Sequence, residues 1–129
     1  MRRAVITGIG IVSCIGNSKE EVLNSLRECK SGISFSEEFA EMGFRSQVYG
    51  KPDIDVTELV DRRVRRFMGE GAAYNYIAME QAIEDSGLSE DEVSNERSGL
   101  IMGSGGPSVK NLIEAADTTR NRGPTKVGP

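Results

Sequence analysis

Histidine does not occur in this chain of 129 residues, and cysteine occurs only twice, as Cys14 and Cys29. Without histidine, no Ser-His-Asp or Cys-His nucleophile can be built from these residues alone. Zinc sites of the Cys/His type are excluded too, because the two cysteines lack the close spacing that such sites use. Both thiols are therefore expected to be reduced, small apolar residues, with no catalytic and no metal-binding role.

Positive charge is in the minority, with 16 lysines and arginines against 20 acidic residues and a net charge of −4. This balance gives no overall attraction to nucleic acid or to an anionic membrane. Residues 1–12 imitate a signal peptide, but Thr7, Gly8 and Gly10 interrupt the apolar run and favour a strand and a turn. No stretch approaches the ~20 apolar residues of a membrane span. We expect a cytoplasmic protein without nucleic-acid or membrane partners.

Short apolar runs predict two buried strands, at Arg3 to Thr7 and at Gly99 to Met102. Capping signals predict helices that begin after Ser18 and after Ser108, with a further helix that ends at Gly87 and a short capped turn at Ser89. The order of these elements indicates an α/β fold with helices against a largely parallel sheet. Two strands cannot cover three helices, so part of the sheet is expected to be missing.

Each long helix has a predicted inner stripe of apolar residues. Gly32 is expected to end the first helix, and residues 33–57 are expected to be loops with one short strand at Arg45 to Tyr49. The predicted stripes are Val22, Leu23 and Leu26 in the first helix, Ala72, Tyr76, Met79 and Ile83 in the second, and Val109, Leu112, Ile113 and Ala116 in the third.

Two glycine-rich turns invite a nucleotide-binding interpretation that their sequences do not support. Gly8-Ile9-Gly10 follows a strand, but Ser13 stands where the dinucleotide fingerprint needs its third glycine. The turn Gly103 to Gly106 lacks the Lys-Ser/Thr pair of a phosphate-binding P-loop. A tight backbone passage and a substrate-channel or subunit contact remain equally open for this second turn.

Arginines cluster between Asp61 and Met68 in an otherwise acidic chain. If this segment is helical, Arg62, Arg63 and Arg66 share a face, while Arg65 points elsewhere. We expect Arg122 and Lys126 to extend the patch. It is either a solvated, salt-bridged helix start or a surface that steers an acidic partner.

Several blocks of the sequence resemble the N-terminal part of the type I β-ketoacyl-acyl-carrier-protein synthases, a thiolase-like family of condensing enzymes. The resemblance runs along the whole chain, and the combination of blocks is specific although each single block is weak. The blocks are Arg3 to Ser13, Ser31-Gly32-Ile33, Asp61-Arg62, Arg66-Phe67-Met68, Met79-Glu80-Gln81-Ala82-Ile83, Gly87-Leu88-Ser89 and Gly103-Ser104-Gly105-Gly106.

The resemblance implies that residues 1–129 are an incomplete part of the N-terminal half-domain of a thiolase-like αβαβα layered fold. It implies an acyltransferase that carries out decarboxylative Claisen condensation of acyl thioesters with malonyl-acyl-carrier protein in fatty-acid elongation. It also implies acyl carrier protein, loaded with acyl and malonyl thioesters, as the partner, and a homodimer for the complete protein. No metal and no organic cofactor is implied.

The family's nucleophilic cysteine and two histidines follow the block that ends here as Lys126 to Pro129, and neither Cys14 nor Cys29 lies in the nucleophile motif. The chain alone is therefore expected to be inactive and to associate through exposed apolar helix faces. The alternative is a short non-catalytic protein that binds the carrier protein or pairs with a complete synthase.

The resemblance carries over two sets of peripheral residues. It assigns four basic side chains to carrier-protein binding and one glycine-rich loop to the neighbourhood of the acyl pocket or the dimer contact. The basic residues are Arg62, Arg63, Arg66 and Lys126, and the loop residues are Gly103, Ser104, Gly105 and Gly106.

Overall fold

The computed structural model describes residues 3–128 and divides them into two compact units. The first unit comprises the described part of Met1–Asp55 together with Ile77–Leu88. The second comprises Val56–Tyr76 together with the described part of Ser89–Pro129. Each unit is thus assembled from two separate stretches of the chain.

Helices make up most of the regular structure in residues 3–128, and the described strands form one short antiparallel pair. The α-helices are α1 Lys19–Arg27, α2 Glu37–Glu41, α3 Val56–Leu59, α4 Arg62–Arg65, α5 Glu70–Ser86, α6 Glu90–Val93 and α7 Val109–Arg122, followed by a 3₁₀ turn at Pro124–Lys126. The strands are β1 Ile33–Phe35 and β2 Val48–Gly50, with Ile33 opposite Gly50 and Phe35 opposite Val48.

The predicted N-cap residues begin helices at the predicted positions. The Ser18 hydroxyl accepts a hydrogen bond from the Glu21 amide (3.2 Å) at the start of α1. The Glu21 carboxylate turns back to the Asn17 amide (2.7 Å), one residue before the position that a capping box uses. At α6 the Glu92 carboxylate accepts hydrogen bonds from both the amide and the hydroxyl of the N-cap residue Ser89 (2.9 Å each). These short polar side chains satisfy backbone amides that have no partner inside a helix, so each helix start is fixed locally.

Helix ends agree less well with the predictions. Gly87 follows α5 with φ of +65°, the left-handed conformation that a glycine C-terminus provides. The helix α1, however, ends at Arg27, five residues before the Gly32 that was predicted to end it. Ser108 caps α7 as predicted, because its hydroxyl accepts a hydrogen bond from the Asn111 amide (3.4 Å).

The two predicted buried strands are wrong for this chain. Residues 3–7 and 99–102 have no regular structure, and the side chains of Ile6 and Ile101 are 85% and 97% exposed. Within residues 3–128 no strand lies beside either segment, so their ladder hydrogen bonds have no partner. The expected parallel sheet is therefore not formed among these residues, whereas the short strand predicted at residues 45–49 overlaps β2.

The predicted apolar stripes are also partly wrong. In α5 the buried positions are Ala73, 2% exposed, and Ile77, 6% exposed, rather than Ala72 and Met79. Leucines 23 and 26 of α1 and the apolar residues Val109, Leu112 and Ile113 of α7 are exposed, because no described element covers them. A helical period identifies a face, but whether that face is buried depends on what packs against it.

The first glycine-rich turn packs directly against α5 in the first unit. A Cβ atom on Gly8 would lie 2.0 Å from the Ala82 carbonyl oxygen, and one on Gly10 would lie 1.7 Å from the Ala78 carbonyl oxygen. Neither position can hold a side chain without moving the backbone of the helix. Gly8 and Gly10 therefore allow the backbone to pack closely against the backbone of α5. This packing explains the Gly-x-Gly sequence without a bound nucleotide.

Side chains of α5 complete this contact by accepting hydrogen bonds from backbone amides. The Gln81 Oε1 atom accepts a hydrogen bond from the Ile11 amide (2.9 Å), and its Nε2 atom donates to the Asn17 carbonyl (2.7 Å). One turn further along the helix, Asp85 Oδ2 accepts from the Ile9 amide (3.0 Å). An extended segment that has no neighbouring strand is thus hydrogen-bonded by the side chains of a helix.

Asp85 also forms an ion pair with Lys19 of α1. The hydrogen bond from Lys19, followed by the Ile9 amide, lowers the pKa of the Asp85 carboxyl below its ordinary value of 3.8. The hydrogen bond to Asp85 raises the pKa of Lys19 above its ordinary 10.5. One carboxylate thereby joins α1, α5 and the segment that contains Ile9.

Replacing Gly10 by alanine tests the close approach. The added methyl group would overlap the Ala78 carbonyl oxygen, so we expect a loss of about 3 kcal/mol in the free energy of unfolding. Gly71→Ala is the matched control, because a Cβ there meets no atom within 4 Å and alanine favours a helix by up to ~1 kcal/mol. Chemical denaturation of both variants measures the difference, and equal stabilities would contradict the packing described.

The contacts of the Asp85 carboxylate with Lys19 and the Ile9 amide predict that the free energy of unfolding depends on pH. Because the folded-state pKa of Asp85 is lowered, its contribution is present above about pH 3.8 and disappears as the pH falls through the folded value. Asp85→Asn should therefore lower the melting temperature at neutral pH and lose this deficit in acid. Glu84→Gln, one residue away, serves as the control. A deficit that stays constant down to about pH 3 would show that the carboxylate charge plays no part.

Candidate functional site

The basic segment of the second unit folds as a single helical turn. The Asp61 carboxylate caps it by accepting a hydrogen bond from the Arg63 amide (2.7 Å). The Arg66 amide donates to the Arg62 carbonyl (3.2 Å), so these two residues lie one turn apart, as the sequence predicted. Residues 62, 63 and 66 are exposed, and the segment presents a compact cationic surface to solvent.

Arg66 is held by its neighbour in the sequence. Its guanidinium carbon lies 4.4 Å from the centroid of the Phe67 ring, within the range of a cation–π contact. Phe67 is itself exposed, so the contact places an aromatic ring beside the cationic surface. The ring limits the freedom of the arginine while leaving its nitrogen atoms able to donate hydrogen bonds.

Lys126 reaches this region through the turn that follows α7. Gly123 ends that helix with φ of +91°, a value that favours glycine. Pro124–Lys126 then form a 3₁₀ turn, in which the Lys126 amide donates to the Gly123 carbonyl (3.2 Å). The turn keeps the last basic residues next to α7 rather than extending them away from it.

The second unit contains a basic cavity of about 440 Å³ between α4 and α7. The residues that line it include Glu114 and four cationic side chains, Arg65, Arg66, Arg122 and Lys126. The structure thus brings Arg66 and Lys126 together, whereas Arg62 and Arg63 lie outside the cavity. Arg65, which was predicted to point elsewhere, lines the same cavity as Arg66.

The sequence alone did not predict that Arg65 lines the basic cavity, because the other wall of that cavity is formed by α7. On α4, Arg65 lies three residues after Arg62, so the two are neighbours on the helix surface and the prediction that Arg65 points elsewhere was wrong even locally. Its neighbour α7 begins more than forty residues later in the chain, and no local pattern predicts where that helix packs. The available signal was the second group of basic residues near the end of α7, which includes Arg122.

The glycine-rich loop lines a second cavity in the same unit, of about 640 Å³. Gly103, Ser104 and Gly106 contribute to it, together with the first residues of α5, while Gly105 does not. The Ser104 hydroxyl donates to the Gly106 carbonyl (2.7 Å) and so bends the loop onto itself. This site is largely exposed, and Glu70 is the one carboxylate among the residues that line it, so the lining holds no carboxylate pair for acid–base chemistry.

A close contact fixes one wall of this loop cavity. A Cβ atom on Gly69 would lie 2.7 Å from the Cβ atom of Ser108, so the residue before α5 needs to be small. Ser108 is also the N-cap of α7. The start of α5 and the start of α7 are therefore held together at the edge of the loop.

The two cysteines differ in their surroundings. A Cβ atom on Gly50 would lie 2.9 Å from the Cys14 sulfur, and one on Gly32 would lie 2.8 Å from it, so Cys14 is packed against backbone. Cys29 is exposed, and its φ is +52°. Within residues 3–128, no group of three or more cysteine, aspartate or glutamate side chains is placed so that it could hold a metal ion. In the same residues, no helix is long and apolar enough to cross a bilayer.

Comparison with known proteins finds one family along the chain. The model of the N-terminal domain of β-ketoacyl synthases matches residues 1–128. The chain is 54% identical over 130 residues to 3-oxoacyl-[acyl-carrier-protein] synthase 1 of Haemophilus influenzae and 53% identical over 131 residues to that of Escherichia coli. It is 37% identical to 3-oxoacyl-[acyl-carrier-protein] synthase 2 of Vibrio harveyi, with 99% of this chain and 31% of that protein covered.

A solved structure agrees with these sequence matches. The crystal structure of a β-ketoacyl synthase from Burkholderia phymatum superposes with a TM-score of 0.76 at 28% identity, covering all of this chain and 32% of the other. The chain likewise covers 32% of the H. influenzae and E. coli proteins while being matched over its whole length. It therefore corresponds to about a third of each of these relatives.

Proposed function

Because the chain belongs to the β-ketoacyl synthase family, we propose that it forms the N-terminal part of a 3-oxoacyl-[acyl-carrier-protein] synthase of type I. The observation that carries this proposal is the 54% identity to such a synthase along the whole chain. The proposed reaction is a decarboxylative Claisen condensation that lengthens fatty acyl chains by two carbons. Residues that match the family's peripheral segments are present, whereas its nucleophile and its two histidines have no counterpart in these 129 residues.

The proposed reaction divides the work between this part of the protein and the catalytic residues. An acyl group moves from the carrier protein to a cysteine thiolate, and the carrier thiol leaves. Malonyl-carrier protein then loses carbon dioxide, and the resulting enolate attacks the acyl thioester and releases the cysteine. The described residues would contribute a docking surface for the carrier protein and a wall near the acyl group.

Carrier binding is proposed for the exposed basic residues of the second unit. Arg62, Arg63 and Arg66 stand together on one helical turn, and Lys126 lies across the basic cavity from it. They form a local positive surface on a chain of net charge −4. Complementary charge of this kind speeds encounter with an acidic partner and fixes its orientation.

The glycine-rich loop is proposed to lie near the acyl pocket or at a dimer contact of the complete protein. Its exposed backbone and the adjoining cavity of about 640 Å³ support either role, because a chain segment or an apolar group could approach it closely. A homodimer and a cytoplasmic location belong to the same proposal and derive from the family resemblance.

The proposed roles predict which polypeptide is active, the full gene product or residues 1–129 alone. We expect the full gene product, supplied with acyl- and malonyl-carrier protein, to release carbon dioxide and form 3-oxoacyl-carrier protein. Residues 1–129 expressed alone should form no product above background, because they provide no nucleophile of the family's type. Intact mass measurement of the gene product accompanies the assay. A native product of only these residues that still binds carrier protein would favour the short non-catalytic alternative instead.

Charge reversal tests the docking surface. Arg62→Glu, Arg63→Glu and Arg66→Glu combined should weaken carrier-protein affinity of the full gene product by roughly a hundredfold or more, mainly through slower association. Surface plasmon resonance at low and at physiological salt measures both rate constants.

The matched control reverses three arginines elsewhere in the chain, Arg27, Arg45 and Arg97, and gives the same change in net charge. This variant should bind the carrier protein several times more tightly than the docking-surface variant. If both variants lose the same affinity, the effect belongs to total charge, and the proposed surface is wrong.

A further inference from the structure

We propose that one face of the β1–β2 hairpin is a docking face for the polypeptide that follows residue 129 in the full gene product. This surface, called the hairpin face below, consists of the side chains of Ile33, Phe35 and Val48. The proposal rests on the proposed function, because that function assigns these residues to a longer synthase. It concerns the packing of the complete protein and involves neither carrier docking nor the acyl pocket.

The register of the hairpin brings these three side chains together. Phe35 lies directly opposite Val48, and opposite residues of an antiparallel pair have their side chains on the same face of the sheet. Ile33 lies two residues before Phe35 and therefore shares that face. Each of the three residues is more than half exposed. The described residues thus leave an apolar surface on one side of the sheet largely uncovered.

The opposite side of the same sheet is already packed. The ring of Tyr49 lies 5.8 Å, between centroids, from that of Phe39 in α2, and Phe39 lies 5.3 Å from Phe44. An antiparallel sheet with one face in water usually alternates apolar and polar residues, whereas a sheet buried on both faces does not. Neither strand contains a charged residue. The hairpin therefore has the composition of a sheet that is covered on both sides.

One end of the hairpin face is anchored in the first unit. Gly50 lies opposite Ile33, and a Cβ atom on Gly50 would lie 2.9 Å from the Cys14 sulfur. A Cβ atom on Gly32 would lie 2.8 Å from the same sulfur. These close contacts hold the hairpin against the segment that contains Cys14, so the open end of the face is presented by packed structure.

The size of the hairpin face favours a cover from the same polypeptide over a separate molecule. Three half-exposed side chains leave roughly 300 Å² of apolar surface, well below the ~800 Å² per partner that a stable interface between proteins buries. A contact within one chain does not lose the translational and rotational freedom that a second molecule loses on binding, so a small face is sufficient. The chain covers 32% of its H. influenzae and E. coli relatives, so a protein of their length has about two thirds of its residues left to provide the cover.

Thiol labelling of the full gene product tests whether the hairpin face is covered. Val48→Cys places a thiol on the face, and Met42→Cys places one at the exposed end of α2 as the matched control. We expect iodoacetamide to modify position 48 roughly tenfold or more slowly than position 42, because a buried thiol reacts only when its cover opens. Peptide mass spectrometry measures both rates. In denaturant the two positions should react equally fast.

Photo-crosslinking identifies what covers the face. Replacement of Phe35 by p-benzoylphenylalanine puts a light-activated aromatic group at its centre. On illumination of the full gene product, we expect a crosslink to a peptide from beyond residue 129, within a species that runs as a single chain on a denaturing gel. A crosslinked species of twice the chain mass would identify a second copy as the cover, and a crosslink to a different protein would identify a separate partner. Either result overturns the proposal.

Thermal unfolding gives an independent measurement. Phe35→Ser should lower the melting temperature of the full gene product by several degrees, because it removes a large apolar side chain from a buried contact. Met42→Ser should leave the melting temperature unchanged. Equal effects of the two substitutions would contradict a cover over Phe35.

The outcomes separate this proposal from the proposed function, because labelling and crosslinking need no activity. If the full gene product forms 3-oxoacyl-carrier protein while position 48 reacts as fast as position 42, the docking face alone is wrong. If position 48 is protected by later residues but no condensation occurs, the proposed function alone is wrong. A native product that consists only of residues 1–129 overturns both.

Discussion

The carboxylate of Asp85 is the point on which the first unit depends. It lies near the end of α5, accepts a hydrogen bond from the Ile9 amide and forms an ion pair with Lys19 at the start of α1. The two segments that meet at this side chain lie 76 and 66 residues before it in the sequence, and Gln81 repeats part of this pattern one turn earlier. Because the segment around Ile9 has no neighbouring strand among the described residues, these side-chain acceptors satisfy amides that a sheet would otherwise pair.

The glycines and the acceptors depend on one another. Gly8 and Gly10 bring the backbone against the Ala82 and Ala78 carbonyls, and only at that distance can side chains of α5 reach the amides of residues 9 and 11. A residue with a side chain at either glycine would separate the two backbones and break the hydrogen bonds together. This geometry accounts for a Gly-x-Gly turn whose third fingerprint position is a serine.

Local features were predictable from the sequence, and features that need a distant partner were not. Ser18, Ser89 and Ser108 begin helices as predicted, because a cap and its amide lie within three residues. The segments around Ile6 and Ile101 have the composition of strands but need neighbours that these residues do not provide. For the same reason the face of α5 that contains Ala73 could not be distinguished from its neighbours by period alone. Arg65 entered the basic cavity only through the packing of α7, which no spacing near α4 reveals.

The unpaired segments at residues 3–7 and 99–102 have a kinetic consequence. Their composition suits strands, and a strand gains stability only when its partner arrives. The helices α1 and α6 are capped by residues within their own turns, so these elements can form early and quickly. Pairing between strands that are far apart in the sequence forms slowly, so a partner for these exposed apolar segments would be gained only after such helices have formed. During that interval the apolar side chains of Ile6 and Ile101 face solvent, and the chain is most exposed to wrong associations.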